Sequence, residues 1–278
     1  MALKTYLADG FQPDFGIPWT SIPGDKELLS WPHEKLAAYL QFREECDQNA
    51  IKNPVGQGWI LPSWKMVMDG WKKYPVVVIL GGNRSSKSTI ASRLCVWAAG
   101  TIPNAEVRAY HVNEDRSIED QQRMIWDALP QGIKDLPTKK GISHSFQYSQ
   151  KNGFTDNICI LPPLKNGLRG GQIKFANYRQ YQADAQVAEG FKSHFIWCDE
   201  ECPQKLFETL QYRTIDYHGR IVLTFTTLSG WTPLVQDILG RTRTLESKYA
   251  PLLGRNVPVV QESLSRPGTI IYYFHTED

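Results

Sequence analysis

The chain has 278 residues and a formal net charge of +2, with 41% hydrophobic and 22% charged residues. These values are typical of a soluble globular protein with a substantial core, and the near-neutral charge means that any DNA-binding surface would have to be a local patch. The five cysteines are scattered and odd in number, which predicts free thiols in a reducing compartment. Because the chain has neither a membrane-length apolar run nor a signal peptide, we expect a cytoplasmic protein without membrane association.

The N-terminal part predicts an arm followed by helices. Residues 1–30 are rich in proline, glycine and aromatic residues and show no sustained period. Apolar residues at helical spacing then predict one helix over residues 31–48 and a second that contains Trp64. We expect residues 1–55 to pack as an arm and helix on the domain that follows.

A buried strand is predicted over residues 76–80, which are all apolar and mostly β-branched. The loop after it matches the phosphate-loop pattern G-x-x-x-x-G-K-[ST] at Gly81, Lys87 and Ser88, but Ser86 replaces the second glycine. Backbone amides and a helix N-terminus form an anion cradle in such loops, where Lys87 reaches phosphates and Ser88 ligates Mg²⁺. An ordinary strand–turn–helix is the alternative. The candidate nucleotide contacts are Gly81, Gly82, Asn83, Arg84, Ser85, Ser86, Lys87, Ser88 and Thr89.

Two tryptophans, Trp59 and Trp64, lie a few turns ahead of this loop. Many ATPases hold adenine with groups in that position, so Trp64 is a further candidate nucleotide contact. Packing in the core is the commoner role of such side chains and is the alternative.

Strands and helices alternate after the loop, which indicates a mostly parallel sheet flanked by helices. A strand over 106–112 precedes an amphipathic helix over 117–129. Short β-like runs at 145–149, 155–161 and 172–177 are then separated by two Asn-Gly turn signals. We therefore predict an α/β fold with an antiparallel β extension at one edge of the sheet.

Four basic residues lie between Asp156 and Asp184 without an acidic one, namely Lys165, Arg169, Lys174 and Arg179. A solvated hairpin face is one interpretation. The others are a contact with the DNA backbone, or an arginine that reaches the nucleotide of a neighbouring subunit.

A second buried strand over 194–198 ends in Asp199, Glu200 and Glu201. In a P-loop ATPase of the additional-strand type, Asp199 would hold Mg²⁺ and Glu200 would act as general base. Glu201 is ambiguous, and we assign it either to a structural role or to a position behind the groups that bind the nucleotide.

A third parallel strand is predicted over 219–228, and it includes Thr226 and Thr227. Their position beside the phosphate site suits a sensor of the γ-phosphate, although threonine also simply favours strands. Thr232 and Pro233 then begin a helix.

Taken in order, these motifs resemble the ATPase domain of the large terminase subunit, the DNA-packaging motor of tailed bacteriophages. The similarity lies in the phosphate loop at 81–88, the acidic strand end at 195–203 and the stretches at 212–214 and 224–234. It extends over roughly residues 55–240 in order and spacing.

The resemblance implies that Lys87, Ser88 and Asp199 bind ATP phosphates and Mg²⁺ and that Glu200 activates water. It further implies that Arg84 lies near the γ-phosphate or a coupling glutamate and that Thr226 and Thr227 link hydrolysis to movement. The implied partners are double-stranded DNA, a portal protein, a small terminase subunit and further copies of the chain in a ring, commonly a pentamer. Packaging into a procapsid would take place in the host cytoplasm.

Family members supply an arginine to the neighbouring subunit, sometimes from just before the Asp-Glu strand. Residues 187–191 contain no arginine, so the candidates here are Arg213, Arg179 and Arg169.

Large terminases also continue into a nuclease domain, and no such segment follows Asp278. We therefore expect residues 56–278 to be an isolated ATPase domain without nuclease activity. Two alternatives stay open: a helicase-like ATPase of the same structural class, and a nucleotide-binding assembly module with little turnover.

Overall fold

The computed structural model describes residues 17–18, 23–71, 73–136, 146–163, 168–227, 230–246 and 259–275. Its strands are β1 (Ile17–Pro18), β2 (Trp59–Ile60), β3 (Val76–Gly81), β4 (Glu106–His111), β5 (Tyr148–Ser149), β6 (Gly153–Phe154), β7 (Ile158–Ile160), β8 (Gln172–Asn177), β9 (Phe195–Asp199), β10 (Arg220–Phe225), β11 (Thr242–Thr244), β12 (Val260–Ser263) and β13 (Thr269–Phe274). Its α-helices are α1 (Asp25–Leu29), α2 (His33–Lys52), α3 (Pro54–Gln57), α4 (Pro62–Gly70), α5 (Lys87–Thr101), α6 (Glu114–Arg116), α7 (Arg123–Ala128), α8 (Gln131–Lys134), α9 (Tyr178–Ala183), α10 (Gln204–Thr214) and α11 (Pro233–Leu239). A π-helical segment, Ser117–Gln122, joins α6 to α7.

A nine-stranded sheet forms the centre of the fold, in the order β11-β12-β13-β3-β10-β9-β4-β8-β7. The six strands from β13 to β8 are parallel, and antiparallel pairs lie at both edges. The predicted α/β fold and its antiparallel edge are therefore confirmed. A second antiparallel edge, made by β11 and β12, was not predicted.

The region between residues 145 and 177 differs from the prediction in one respect. The Asn-Gly turn at 152–153 does produce the predicted hairpin, since β5 and β6 pair antiparallel. Strand β7 is antiparallel to β8, but β8 itself runs parallel to β4 and belongs to the main sheet. A local turn signal cannot determine the direction of a strand whose partner lies 66 residues earlier in the chain, as Glu106 does for Gln172. The second Asn-Gly turn, at 166–167, lies outside the described residues.

Helices cover both faces of the parallel strands, which explains the unbroken apolar run in β3. Val77 and Ile79 face one hydrophobic cluster with residues of α4, α5 and α7. Val76 and Val78 face a second cluster with residues of α10 and α11. All five cysteines are free, as predicted, and all five are buried. Within the described ranges, no helix is both long and apolar enough to cross a bilayer.

The order of the strands determines where polar residues meet. The chain passes from β3 through α5 to β4, which is separated from β3 in the sheet by β10 and β9. Parallel strands point their carboxyl ends to the same edge, and ligand sites of open α/β sheets lie at such switch points. The loop after β3 and the ends of β10, β9 and β4 therefore converge on one edge, which we call the carboxyl edge.

Candidate functional site

The predicted phosphate loop lies between β3 and the first turn of α5, at the carboxyl edge. Arg84 and Ser86 adopt left-handed backbone conformations with φ of 65° and 59°. Gly81 is packed closely, because a Cβ atom there would lie 2.8 Å from the carbonyl oxygen of Phe274. Gly82, Asn83 and Arg84 are exposed at the tip of the loop.

Ser86, the residue in place of the second glycine, is held by Trp64. The buried Trp64 indole donates a hydrogen bond from Nε1 to Ser86 Oγ at 3.0 Å. The Arg93 guanidinium lies over the face of the same indole, 4.6 Å from the ring centre. The serine thus takes the left-handed conformation that glycine favours, and its hydroxyl contacts the tryptophan. Trp64, which the sequence offered as a candidate nucleotide contact, therefore touches the phosphate loop through the side chain of Ser86.

Lys87 and Ser88 begin α5 and bring the loop into contact with the acidic strand. Lys87 is 6% exposed, and its Nζ donates to the carbonyl oxygen of Gly82 at 3.3 Å, so the ammonium group lies against the loop. Ser88 Oγ donates to Asp199 Oδ1 at 2.9 Å. This contact joins residues 111 positions apart and unites the two predicted halves of the site.

The Asp199 carboxylate is buried at the end of β9 within a chain of hydrogen bonds. Thr224 Oγ1 donates to Asp199 Oδ1 at 2.6 Å and accepts from Trp197 Nε1 at 2.7 Å. Burial raises the pKa of Asp199, while the hydrogen bonds from Thr224 and Ser88 and the charge of Lys87 oppose that rise. These partners therefore support an ionised carboxylate in a buried position.

Glu200 follows Asp199 in a left-handed turn with φ of 64°. Its N–H donates to the carbonyl oxygen of Thr224 at 2.8 Å, and the Tyr178 hydroxyl lies 2.8 Å and 3.1 Å from the carbonyl oxygens of Asp199 and Glu200. The pKa of Glu200 is raised, mainly by burial and then by the charge of Asp199. A carboxylate with a raised pKa suits the general-base role that the sequence predicts for Glu200.

Glu201 contacts the start of helix α11, which favours the structural one of the two predicted roles. Its Oε1 accepts a hydrogen bond from the Thr232 hydroxyl, which also accepts from the Val235 N–H at the start of α11. Neighbouring carboxylates are thus directed differently: Glu201 toward the helix cap, and Asp199 toward Ser88.

Three contacts at the site were not predicted, and they involve His111, Tyr178 and Thr224. Each lies at or next to the carboxyl end of a parallel strand. His111 is 4% exposed, and its Nε2 lies 3.7 Å from Asp199 Oδ2. Burial lowers the pKa of His111. Polar residues at strand ends are a weak signal that becomes specific only once the strand order is known.

The predicted coupling threonines follow β10 directly. Thr226 Oγ1 donates to the carbonyl oxygen of Gly81 at 2.7 Å, so the end of β10 is bonded to the first residue of the loop. Thr227 is exposed. Their coupling role stays a prediction.

The three candidate trans-acting arginines occupy different positions. Arg213, near the end of α10, donates from Nε to the carbonyl oxygen of Ala188 at 3.1 Å and is only partly exposed. Arg169 is exposed ahead of β8, at the edge opposite the loop, whereas Arg179 is exposed just after β8, at the carboxyl edge. Lys174, another basic residue of the stretch between Asp156 and Asp184, pairs with Glu106 at 3.8 Å. This ion pair favours a solvated surface role for Lys174 over a contact with DNA.

The residues present fit a magnesium nucleotide. Ser88 and Asp199 offer hydroxyl and carboxylate oxygens, the ligand type that Mg²⁺ prefers. The amides at the start of the 15-residue helix α5, with Lys87, form a cationic cradle next to those oxygens. A cavity of about 170 Å³ adjoins the cradle at Thr89 and is lined by Pro54, Thr89, Ser92, Arg93, Met124, Asp127 and Ala128.

A scan against protein-family models finds no match, and a search of curated proteins finds none either. Among solved structures, the large terminase ATPase domain of Thermus phage P74-26 is similar, with 16% identity over 73% of this chain and 75% of that chain and a TM-score of 0.47. A point mutant of the same domain has 14% identity over 77% and 79% of the two chains, also with a TM-score of 0.47. The large terminase of a thermophilic bacteriophage in complex with ADP has 11% identity over 78% of this chain and 44% of that chain, with a TM-score of 0.44.

Proposed function

We propose that this chain is the ATPase motor domain of a viral terminase large subunit, which hydrolyses ATP with Mg²⁺ and moves double-stranded DNA into a procapsid in the host cytoplasm. The main support is the hydrogen bond between Ser88 and Asp199, because it joins the phosphate loop to the acidic strand with Glu200 at its end. The order of the four motifs along the chain supports the narrower assignment to a terminase.

Each residue of the site has a role in this proposal. The loop amides and Lys87 bind the phosphates, and Ser88 and Asp199 hold Mg²⁺. Bound Mg²⁺ neutralises phosphate charge. The Glu200 carboxylate orients a water molecule and accepts its proton, and the turn that carries Glu200 is held by Thr224.

In this proposal the base of the nucleotide occupies the cavity lined by Thr89 and Arg93. Arg93 lines this cavity, is fixed by a hydrogen bond of 3.0 Å to the carbonyl oxygen of Trp59, and has a pKa lowered to about 10 by burial. A planar guanidinium in that position offers a face on which a purine can stack. Trp64 would then support Arg93 from behind instead of touching the base.

Assembly is part of the proposal, since the motor would work as a ring, commonly of five chains, on a portal protein and with a small terminase subunit. An arginine supplied by the neighbouring subunit can raise turnover on the order of a thousandfold. Arg179 and Arg169 are exposed and accessible to a neighbour, whereas Arg213 would first have to leave the carbonyl of Ala188.

The test is the ATP turnover per chain as a function of protein concentration, with and without linear double-stranded DNA. We expect turnover to rise with concentration and with DNA, and to be lost in Lys87→Ala at every concentration. Alanine is also substituted in turn for Arg213, Arg179 and Arg169. The variant that lacks the trans-acting arginine should keep the basal turnover of the dilute chain and lose the increase with concentration. Turnover that is independent of both concentration and DNA would contradict the motor assignment.

The two alternatives lead to different results. A helicase-like ATPase would separate the strands of forked DNA during hydrolysis, and we expect no strand separation. An assembly module would bind nucleotide with little turnover; this alternative arose from the side chain of Ser86, which in the structure is bonded to Trp64. Steady turnover by the assembled wild-type chain would exclude it.

A further inference from the structure

His111 lies where three strands of the site come into register. Tyr110 of β4 pairs with Cys198 of β9, so His111 is level with Asp199, which in turn pairs with Thr224 of β10. Paired positions on neighbouring parallel strands point to the same face of the sheet. His111, Asp199 and Thr224 therefore form a row across β4, β9 and β10, beside the first turn of α5.

One hydrogen bond of the His111 ring indicates which ring nitrogen carries the proton. Nδ1 accepts a hydrogen bond of 2.8 Å from the N–H of Val112. An accepting Nδ1 has no proton, so the neutral ring is protonated at Nε2. The structure thus presents an N–H donor toward the carboxylate of Asp199.

The two oxygens of Asp199 have different surroundings. Oδ1 accepts from both Thr224 and Ser88, at 2.6 Å and 2.9 Å. Oδ2 faces Nε2 of His111 at 3.7 Å, which is an electrostatic contact longer than a hydrogen bond. Two hydroxyl groups therefore hold Oδ1, and the His111 imidazole is the group that faces Oδ2.

We propose that His111 is a positioning residue that fixes the Asp199 carboxylate in the orientation required to hold the magnesium nucleotide. The role rests on the proposed function, since it assumes that Asp199 is a metal ligand. It belongs to a common type, because partners that orient a metal-binding carboxylate typically change metal affinity by 10- to 100-fold when they are removed.

The test compares the affinity for a fluorescent ADP analogue in Mg²⁺ and in EDTA. We expect His111→Phe to weaken the Mg²⁺-dependent part of the affinity by about tenfold or more and to leave the affinity in EDTA unchanged. His111→Gln, whose amide places an N–H near the position of Nε2, should restore most of it. A nitrogen NMR spectrum of the wild-type chain without nucleotide should show His111 as the neutral form protonated at Nε2, and this measurement needs no variant.

His194 provides a matched control. It also accepts a backbone N–H at Nδ1, from Glu106 at 3.0 Å, but it lies at the opposite edge of the sheet. His194→Phe should leave both affinities unchanged. The positioning role is overturned if the wild type depends on Mg²⁺ while His111→Phe keeps that dependence, if His194→Phe loses it equally, or if the spectrum places the proton on Nδ1. A wild type that binds without regard to Mg²⁺ would instead overturn the metal-dependent function, and the positioning role with it.

Discussion

The contact between Trp64 and Ser86 gives a quantitative prediction about the phosphate loop. Ser86→Ala removes the hydroxyl and leaves a buried indole N–H without its partner, which should lower the free energy of unfolding by about 1–2 kcal/mol. Ser86→Gly removes the same hydroxyl but relieves the left-handed backbone at φ 59°, which returns about 1 kcal/mol. The glycine variant should therefore be more stable than the alanine variant by about 1 kcal/mol and close to the wild type.

Equilibrium urea denaturation without nucleotide measures these differences. Repeating Ser86→Ala in a Trp64→Phe background completes a double-mutant cycle, because phenylalanine fills much of the same space but has no N–H. There the alanine substitution should cost close to nothing. The reasoning is refuted if Ser86→Ala is as stable as the wild type, or if its cost is the same with and without Trp64.

Three further predictions follow from single contacts. Gly81→Ala should destabilise the fold by about 1–3 kcal/mol, because its Cβ would meet the Phe274 carbonyl oxygen. Gly82→Ala has open space around its Cβ and should be close to neutral. Equal melting temperatures for these two variants would contradict this. Tyr178→Phe removes the hydroxyl that contacts the carbonyl oxygens of Asp199 and Glu200, so it should lower the free energy of unfolding by about 1 kcal/mol and reduce turnover more than nucleotide affinity. Tyr181→Phe in the same helix is the control, and unchanged turnover in Tyr178→Phe would contradict the prediction. Burial lowers the pKa of His194 below its ordinary 6.5, and the charge of Glu106 partly opposes this, so just below pH 6.5 the unfolded chain binds more protons than the folded chain. The free energy of unfolding should therefore fall as the pH drops through 6.5, and it should fall less in His194→Gln. An equal fall in the wild type and the variant would contradict this.

Local signals predicted the two halves of the site because each is a short motif with its own backbone requirements. The buried strand at 76–80, the loop residues Lys87 and Ser88, and the acidic end at Asp199 could all be read from neighbouring residues. The order of the two motifs, which is that of a P-loop ATPase, predicted that the halves would form one site, and Ser88 does bond to Asp199.

Other features depend on which strands become neighbours, which no local pattern encodes. The parallel direction of β8 follows from its pairing with β4. A single histidine at the end of a strand has no signature of its own, so the approach of His111 to Asp199 emerges only from the register of β4 and β9. Likewise, the sequence motif alone gives no reason for a serine at position 86, and the reason is the hydrogen bond from Trp64, 22 residues earlier.

The most direct test of the proposed chemistry compares Glu200→Gln with Glu201→Gln under conditions in which the chain is assembled on DNA. Both variants remove one carboxylate from the same turn, but only Glu200 is assigned to water activation, while Glu201 holds Thr232 at the start of α11. We predict that Glu200→Gln lowers ATP turnover by about 100-fold or more with nucleotide affinity retained, and that Glu201→Gln keeps most of its turnover. Wild-type turnover in Glu200→Gln, or equal losses in the two variants, would contradict the account.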